Sequence, residues 1–500
     1  MSTGKHKNGR GHFMVFNSYS FILIYLPVCV AGFHLLKRTK VPALAKYFLL
    51  CASLFFYGLH NLRSLLVLCI SVMLNYALSL YLCREEAAFR KAVLTAGIVL
   101  DLGALIYCKY LLFFEDVSNS LFHTQFGAIP LIVPLGISFY TFTQIAYLVD
   151  AYREMVRYSF SDYALFITFF PKITVGPIAL ASEMIPQFKR AVTEKCDPVL
   201  LSKGLVGLSF GLAKKVLLAD SLAKYVDWGF NNLSALGTTN AILVMLAYTM
   251  QIYFDFSGYC DMATGICLML GLDLVRNFDS PYRALSVTEF WKRWHISLTR
   301  FFRRYVYFPL GGNRKGRVRT VLNRLLIFLL SGLWHGASLN FLIWGGIHGL
   351  GIIVSKALAP VSVRWPKVIR FLLTFTFVNL AWVYFRAPDL PTAHAFFAQL
   401  FAGGFVPVNI EFIAAATPNA CNILQWLFMR FTPLSTYYTG MVIVLSLLGF
   451  AVFASVKMKN TDERMDHFKP TGRLAAACSI LLVLGILSLS EISKFIYVNF

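Results

Sequence analysis

Runs of apolar residues long enough to cross about 30 Å of hydrocarbon recur along the whole 500-residue chain, and nothing in the sequence constrains it more. A backbone in lipid has no water to bond, so each crossing has to satisfy its own N–H and C=O groups, as a helix does. The runs lie near 18–36, 44–61, 62–83, 92–113, 127–149, 203–222, 239–258, 321–338, 339–356, 370–386, 438–456 and 474–492. Shorter or broken apolar stretches lie near 163–182 and 259–275. The expected fold is therefore all-α, a polytopic integral membrane protein with about 11–13 transmembrane or re-entrant helices. With 58% hydrophobic and 14% charged residues, a soluble domain is excluded.

The net charge of +22 could suggest nucleic acid, but the basic residues sit in loops between spans, where they mark a cytoplasmic face. Loops 37–46 (Lys37, Arg38, Lys40, Lys46), 84–91 (Arg84, Arg90, Lys91) and 150–160 (Arg153, Arg157) fall on one side by alternation. Loop 114–126 holds Glu115 and Asp116 without Lys or Arg and falls on the other. Both ends of the chain are thus expected outside the cytoplasm, in a multi-pass cell-membrane protein that needs lipid and no nucleic acid. Residues 1–13, with Lys5, Lys7 and Arg10, conflict with that placement. They are expected to be a start-site extension or dispensable tail, with Met14 a natural start and 14–500 a single membrane domain. The first span lacks a small-residue cleavage site and reads as a retained helix.

Ten cysteines are scattered without a C-x-x-C pair, so neither a disulfide framework nor a zinc site is expected. Cys260 and Cys267 share a helical face, and packing explains that.

The stretch 250–340 departs from the rest: charge, glycine and aromatics gather where the chain should cross only in part. Ser286-Val287-Thr288-Glu289 reads as a capping box opening a helix. On that helix Phe290, Trp291, Trp294, His295, Leu298, Phe301, Phe302 and Tyr305 share one face, and Lys292, Arg293, Arg300, Arg303 and Arg304 most of the rest. The pattern predicts an amphipathic helix lying at the membrane surface or dipping into it. Pro309-Leu310-Gly311-Gly312-Asn313 breaks it, and Arg314, Lys315, Arg317 and Arg319 follow.

An ionisable ring at membrane depth is costly, which makes it a candidate for function. His295 lies on the basic helix; His335 lies among Gly332, Gly336, Ala337 and Ser338, small residues that admit close backbone. An interfacial anchor would account for His295, and a bond to a neighbouring carbonyl for His335, without chemistry. Asp255 and Asp261 could orient a histidine or pair with an arginine, and a structural role suits both. The other histidines, His348 among them, are assigned no chemistry; it lies thirteen residues beyond His335, too far for one turn. No nucleophile elbow, phosphate loop or metal-ligand cluster is present. Chemistry, if carried, rests on histidine as a general base, and acyl transfer suits that. The basic stretch 300–324 would then face the phosphates of coenzyme A, although cytoplasmic-side charge explains it equally well.

At these residues a resemblance enters. The chain resembles the membrane-bound O-acyltransferase (MBOAT) family, in its bacterial branch of alginate and peptidoglycan O-acetylation membrane subunits, with teichoic acid D-alanyl transfer proteins alongside. The matching stretches run from Met14-Val15-Phe16-Asn17-Ser18-Tyr19 through Val133–Phe142, Phe169-Phe170-Pro171 with Gly176-Pro177-Ile178, Tyr253–Tyr259 and Asn277–Tyr282. They continue with Phe290-Trp291-Lys292-Arg293-Trp294-His295-Ile296-Ser297-Leu298, Tyr307–Arg314 and Ser331-Gly332-Leu333-Trp334-His335-Gly336. Lys172 departs from the pattern, since relatives often carry glutamine there.

The resemblance implies a ring of tilted helices around a thin centre with a tunnel, and a catalytic region at 250–340. It implies His335 as principal catalytic residue and His295 as second; beside it, Trp334, Asp255 and Asp261 are candidates for support read from their positions. Arg300, Arg303, Arg304 and Arg314 would meet acetyl-CoA, the expected donor, with no permanently bound cofactor or metal. Phe495-Ile496-Tyr497-Val498-Asn499-Phe500 resembles an aromatic motif whose tyrosine is proposed to receive the acyl group, so Tyr497 is a candidate relay; an interfacial anchor is the other reading. The activity implied is transfer of acetyl from cytoplasmic acetyl-CoA across the membrane to alginate, peptidoglycan or another exopolysaccharide, through an exported hydrolase-like acetyltransferase partner. D-Alanyl transfer to teichoic acid-type polymers is an alternative. A transporter or flippase with a histidine proton relay is another, and a non-catalytic scaffold a third.

Overall fold

The computed structural model describes residues 14–122, 133–415, 436–489 and 495–496; the polar stretch 1–13 and Tyr497 with its neighbours 498–500 lie outside them. Among the described residues every regular element is helical. Six helices among the described residues are long and apolar enough to cross a membrane: Leu62–Leu82, Arg90–Leu111, Gly237–Met269, Leu339–Ala357, Lys367–Arg386 and Tyr437–Lys457. Phe21–Leu36, Ala43–Gly58 and Gly472–Leu487 are apolar but shorter. The expected run at 321–338 becomes helix Gly316–His335, whose first turns carry Arg317, Arg319 and Arg324.

Local sequence sets the helix ends. Asn61 opens Leu62–Leu82 by accepting from the Arg63 and Ser64 amides, bonds worth about 1 kcal/mol at such a site. The expected cap at Ser286 forms: its hydroxyl accepts from the Glu289 amide at 3.1 Å. The reciprocal bond lands one residue early, Glu289 accepting from the Leu285 amide at 2.9 Å.

Two expectations need correction. The apolar stretches 239–258 and 259–275 are not separate; one helix, Gly237–Met269, runs through both for 33 residues. Gly258 does not break it, because the helix packs backbone to backbone on Pro198–Ala213. A Cβ at Gly211 would stand 2.6 Å from the Gly258 carbonyl oxygen, and one at Gly265 the same distance from that of Gly204. Small residues let two helices approach this closely in lipid. The single helix expected from Ser286 onward is instead two, Val287–Arg293 and Ile296–Phe302, broken at His295.

Candidate active site

The break places the first histidine. His295 has φ 44° and ψ 53°, a left-handed conformation that costs a non-glycine residue about 1–2 kcal/mol and must be held by its surroundings. Asn277 holds it. Its side-chain oxygen accepts from the Ser297 amide at 3.1 Å and the Ser297 hydroxyl at 2.8 Å, and meets His295 Nδ1 at 3.1 Å. Its carbonyl accepts from the Ile296 amide at 3.0 Å. Because the Ser297 amide can only donate, the atom facing it is oxygen, and His295 Nδ1 must carry the proton. The neutral ring then presents Nε2 as its basic nitrogen.

His335 is the last residue of helix Gly316–His335. Both histidines are buried, and forty positions apart in sequence their ring centroids stand 6.3 Å from each other. Aromatic side chains enclose them. Phe256 meets His295 edge-on at 4.8 Å; Trp344 and Phe385 meet His335 at 5.2 and 5.1 Å. Trp334 lies between, 5.8 Å from the His295 ring and 4.9 Å from that of His335. The close backbone approach expected around Gly332 is present: a Cβ there would collide with the Phe341 carbonyl of the next helix.

The other candidates are placed elsewhere. Asp255 pairs with Lys215 at 2.5 Å and accepts from the Ile496 amide at 2.8 Å. Asp261 pairs with Lys214 at 2.6 Å and accepts from the Thr461 hydroxyl. The structure thus gives both aspartates lysine partners and a fastening role. Arg300 grips Glu183 with both terminal nitrogens, at 2.5 and 2.9 Å. Arg304 holds Asp150 at 3.0 Å and Glu154 at 2.7 Å. Arg303, over the Phe308 ring, and Arg314 are exposed. Tyr497 lies outside the described residues, and Phe495 docks edge-on against Tyr259 at 4.7 Å. Among the described residues no group of three His, Cys, Asp or Glu side chains could hold a metal.

Sequence reasoning missed three residues. Asn277 was only one position in a motif; its buried amide beside a histidine was the signal. Lys109 donates to the Trp334 carbonyl at 2.6 Å and the His335 carbonyl at 3.2 Å, and the rule that singled out intramembrane histidines applies equally to a lysine in an apolar span. His348 is buried 5.0 Å from Trp344 and accepts from Trp291 Nε1 at 3.1 Å. The Trp344 ring separates it from His335, which meets the same ring at 5.2 Å.

Residues 62–387 match the model of the MBOAT, membrane-bound O-acyltransferase family. The chain belongs to this family. The match covers most of the described helices and includes His295 and His335. This MBOAT protein is 36% identical to a peptidoglycan O-acetyltransferase of Helicobacter pylori, over 97% of its own length and 98% of that protein's. It is 38% identical to a probable alginate O-acetylase of Pseudomonas aeruginosa, over 78% of this chain and 75% of the other. A teichoic acid D-alanyltransferase of Bacillus subtilis is 27% identical over 67% of this chain and 88% of its own length. The protein is a multi-pass membrane O-acyltransferase.

Proposed function

We propose that this acyltransferase takes an acetyl group from cytoplasmic acetyl-CoA and passes it across the membrane for O-acetylation of an extracytoplasmic polysaccharide, alginate, peptidoglycan or another exopolysaccharide. The observation that carries the reading is the buried pair His295 and His335, 6.3 Å apart between ring centroids. In this reading one imidazole takes the proton from an acceptor hydroxyl. The oxygen attacks the thioester carbonyl, the new C–O bond forms, the C–S bond breaks, and the proton ends on the coenzyme A thiol. The enclosing aromatic shell excludes water, which would otherwise hydrolyse the thioester. His335 is the principal base and His295, held by Asn277 with Nε2 as its basic nitrogen, the helper. Tyr497 is proposed as an acyl relay to an exported hydrolase-like acetyltransferase. The tail leading to it is fastened at Asp255, and Phe256, the next residue on that helix, touches His295. The exposed Arg303 and Arg314 are the remaining candidates for the phosphates of the donor.

Inverted membrane vesicles supplied with acetyl-CoA carrying labelled acetyl test this. Wild-type protein should place covalent label on protein or glycan, and His335→Ala at equal abundance should lower transfer at least about 100-fold, the order expected of a general base. Undiminished transfer by His335→Ala overturns the assignment. Label that moves only as intact solute would make the protein a transporter, and transfer from a D-alanyl carrier thioester alone would favour the teichoic acid reading.

A further inference from the structure

We propose that Lys109, together with its neighbour Tyr110, is the positioning device for His335. The proposal rests on the reading of His335 as the base.

A helix C-terminus leaves its last carbonyls without partners inside the helix. In helix Gly316–His335 the Gly336 amide returns to the Gly332 carbonyl at 3.3 Å. The next three carbonyls, of Leu333, Trp334 and His335, are met from another helix. The Tyr110 hydroxyl donates to Leu333, and Lys109 Nζ to Trp334 at 2.6 Å and His335 at 3.2 Å. The Ser138 hydroxyl, at 3.4 Å, is the third acceptor for an ammonium with three donors. Two consecutive residues thus hold three consecutive carbonyls, ending on that of the histidine. The negative end of the helix dipole and the charge-assisted bonds both favour a cation there. The ammonium also lies over two rings, its Nζ 5.8 Å from that of Tyr110 and 6.0 Å from that of Trp334.

The contact is with main chain, so it fixes where the imidazole stands relative to His295. A lysine also needs a reason to occupy this span: only 17% of the most apolar stretch of Arg90–Leu111 is buried in the protein, and a charge facing lipid is costly. Holding the His335 helix supplies one.

The test uses purified full-length protein in phosphatidylglycerol–phosphatidylcholine nanodiscs, with kcat and KM measured for acetyl-CoA per folded molecule. Lys109→Met should lower kcat roughly 10- to 100-fold, the order expected when a reacting group is displaced by about 1 Å, with KM unchanged. Lys109→Arg, which keeps charge and donors, should restore most of it. Wild-type kcat in folded Lys109→Met, or loss of folded protein with normal kcat in the surviving fraction, overturns the proposal. If Lys109→Met does not accumulate, Tyr110→Phe removes one oxygen from the same anchor. It should lower kcat about 2- to 10-fold, as loss of one hydrogen bond would, and wild-type kcat there also overturns the proposal. His335→Ala is measured alongside. An inactive His335→Ala beside a fully active Lys109→Met removes the positioning role alone, whereas an active His335→Ala removes the base itself.

Discussion

Two helices of equal length, Arg90–Phe122 and Gly237–Met269, each of 33 residues, lie in opposite surroundings. Of their most apolar stretches, 17% of the first and 78% of the second are buried. In water the greasier helix would be the inner one. Here the inner helix carries Asp255, Asp261 and three glycines, while the outer one turns Val99, Leu100 and Ile106 outward. Lipid already accommodates apolar side chains, so close backbone approach and paired charge hold the interior. The outer helix still gives polar groups to the protein: Asp101 accepts from Asn75 at 2.8 Å, and Lys109 reaches the His335 helix.

Substituting matched positions would break or sharpen this contrast. The largest effect should come from glycine. A Cβ at Gly265 would meet backbone of the facing helix at 2.6 Å, whereas one at Gly103 has nothing within 4 Å. Gly265→Leu is therefore expected to abolish folded protein in size-exclusion profiles of detergent extracts, and Gly103→Leu to leave the profile unchanged; equal behaviour would end the distinction. Next comes charge. Asp261→Ala removes the ion-pair partner of the half-buried Lys214 and should cost about 3–5 kcal/mol, read as a large fall in melting temperature. Asp101→Ala, which removes one neutral donor's partner, should cost about 1–3 kcal/mol. A larger loss from Asp101 than from Asp261 would reverse the assignment of inner and outer helix. The smallest effect belongs to lipid-facing side chains: Val99→Ala should shift stability by less than about 0.5 kcal/mol in the same melts.

The same contrast explains what could be read from the sequence. Outer spans such as Leu62–Leu82 are legible because composition alone determines them. Gly237–Met269 reads as two pieces, since Asp255, Gly258 and Asp261 look like interruptions until Lys215, the facing glycines and Lys214 are brought to them. The two histidines stand out as ionisable groups in an apolar chain, and the structure does bring them together. Their supports do not stand out. The break at His295 depends on Asn277, eighteen positions earlier, and the end of the His335 helix on Lys109, 226 positions away. No local periodicity encodes such partners. The carboxylate partners of Arg300 and Arg304 do not stand out for the same reason, because Glu183, Asp150 and Glu154 arrive from distant segments.

The bond from the Ile496 amide to Asp255 spans 241 positions, and this separation orders events during synthesis. The Asp255 helix must enter the bilayer long before Ile496 leaves the ribosome. Through that interval Lys215, only forty residues upstream, is already there to neutralise the carboxylate. The tail then arrives at a carboxylate that already has a lysine partner, and closes the site with a backbone amide in place of a second cation. A nascent chain can thus wait, inserted and with its buried carboxylate already paired, for the segment that finishes its centre.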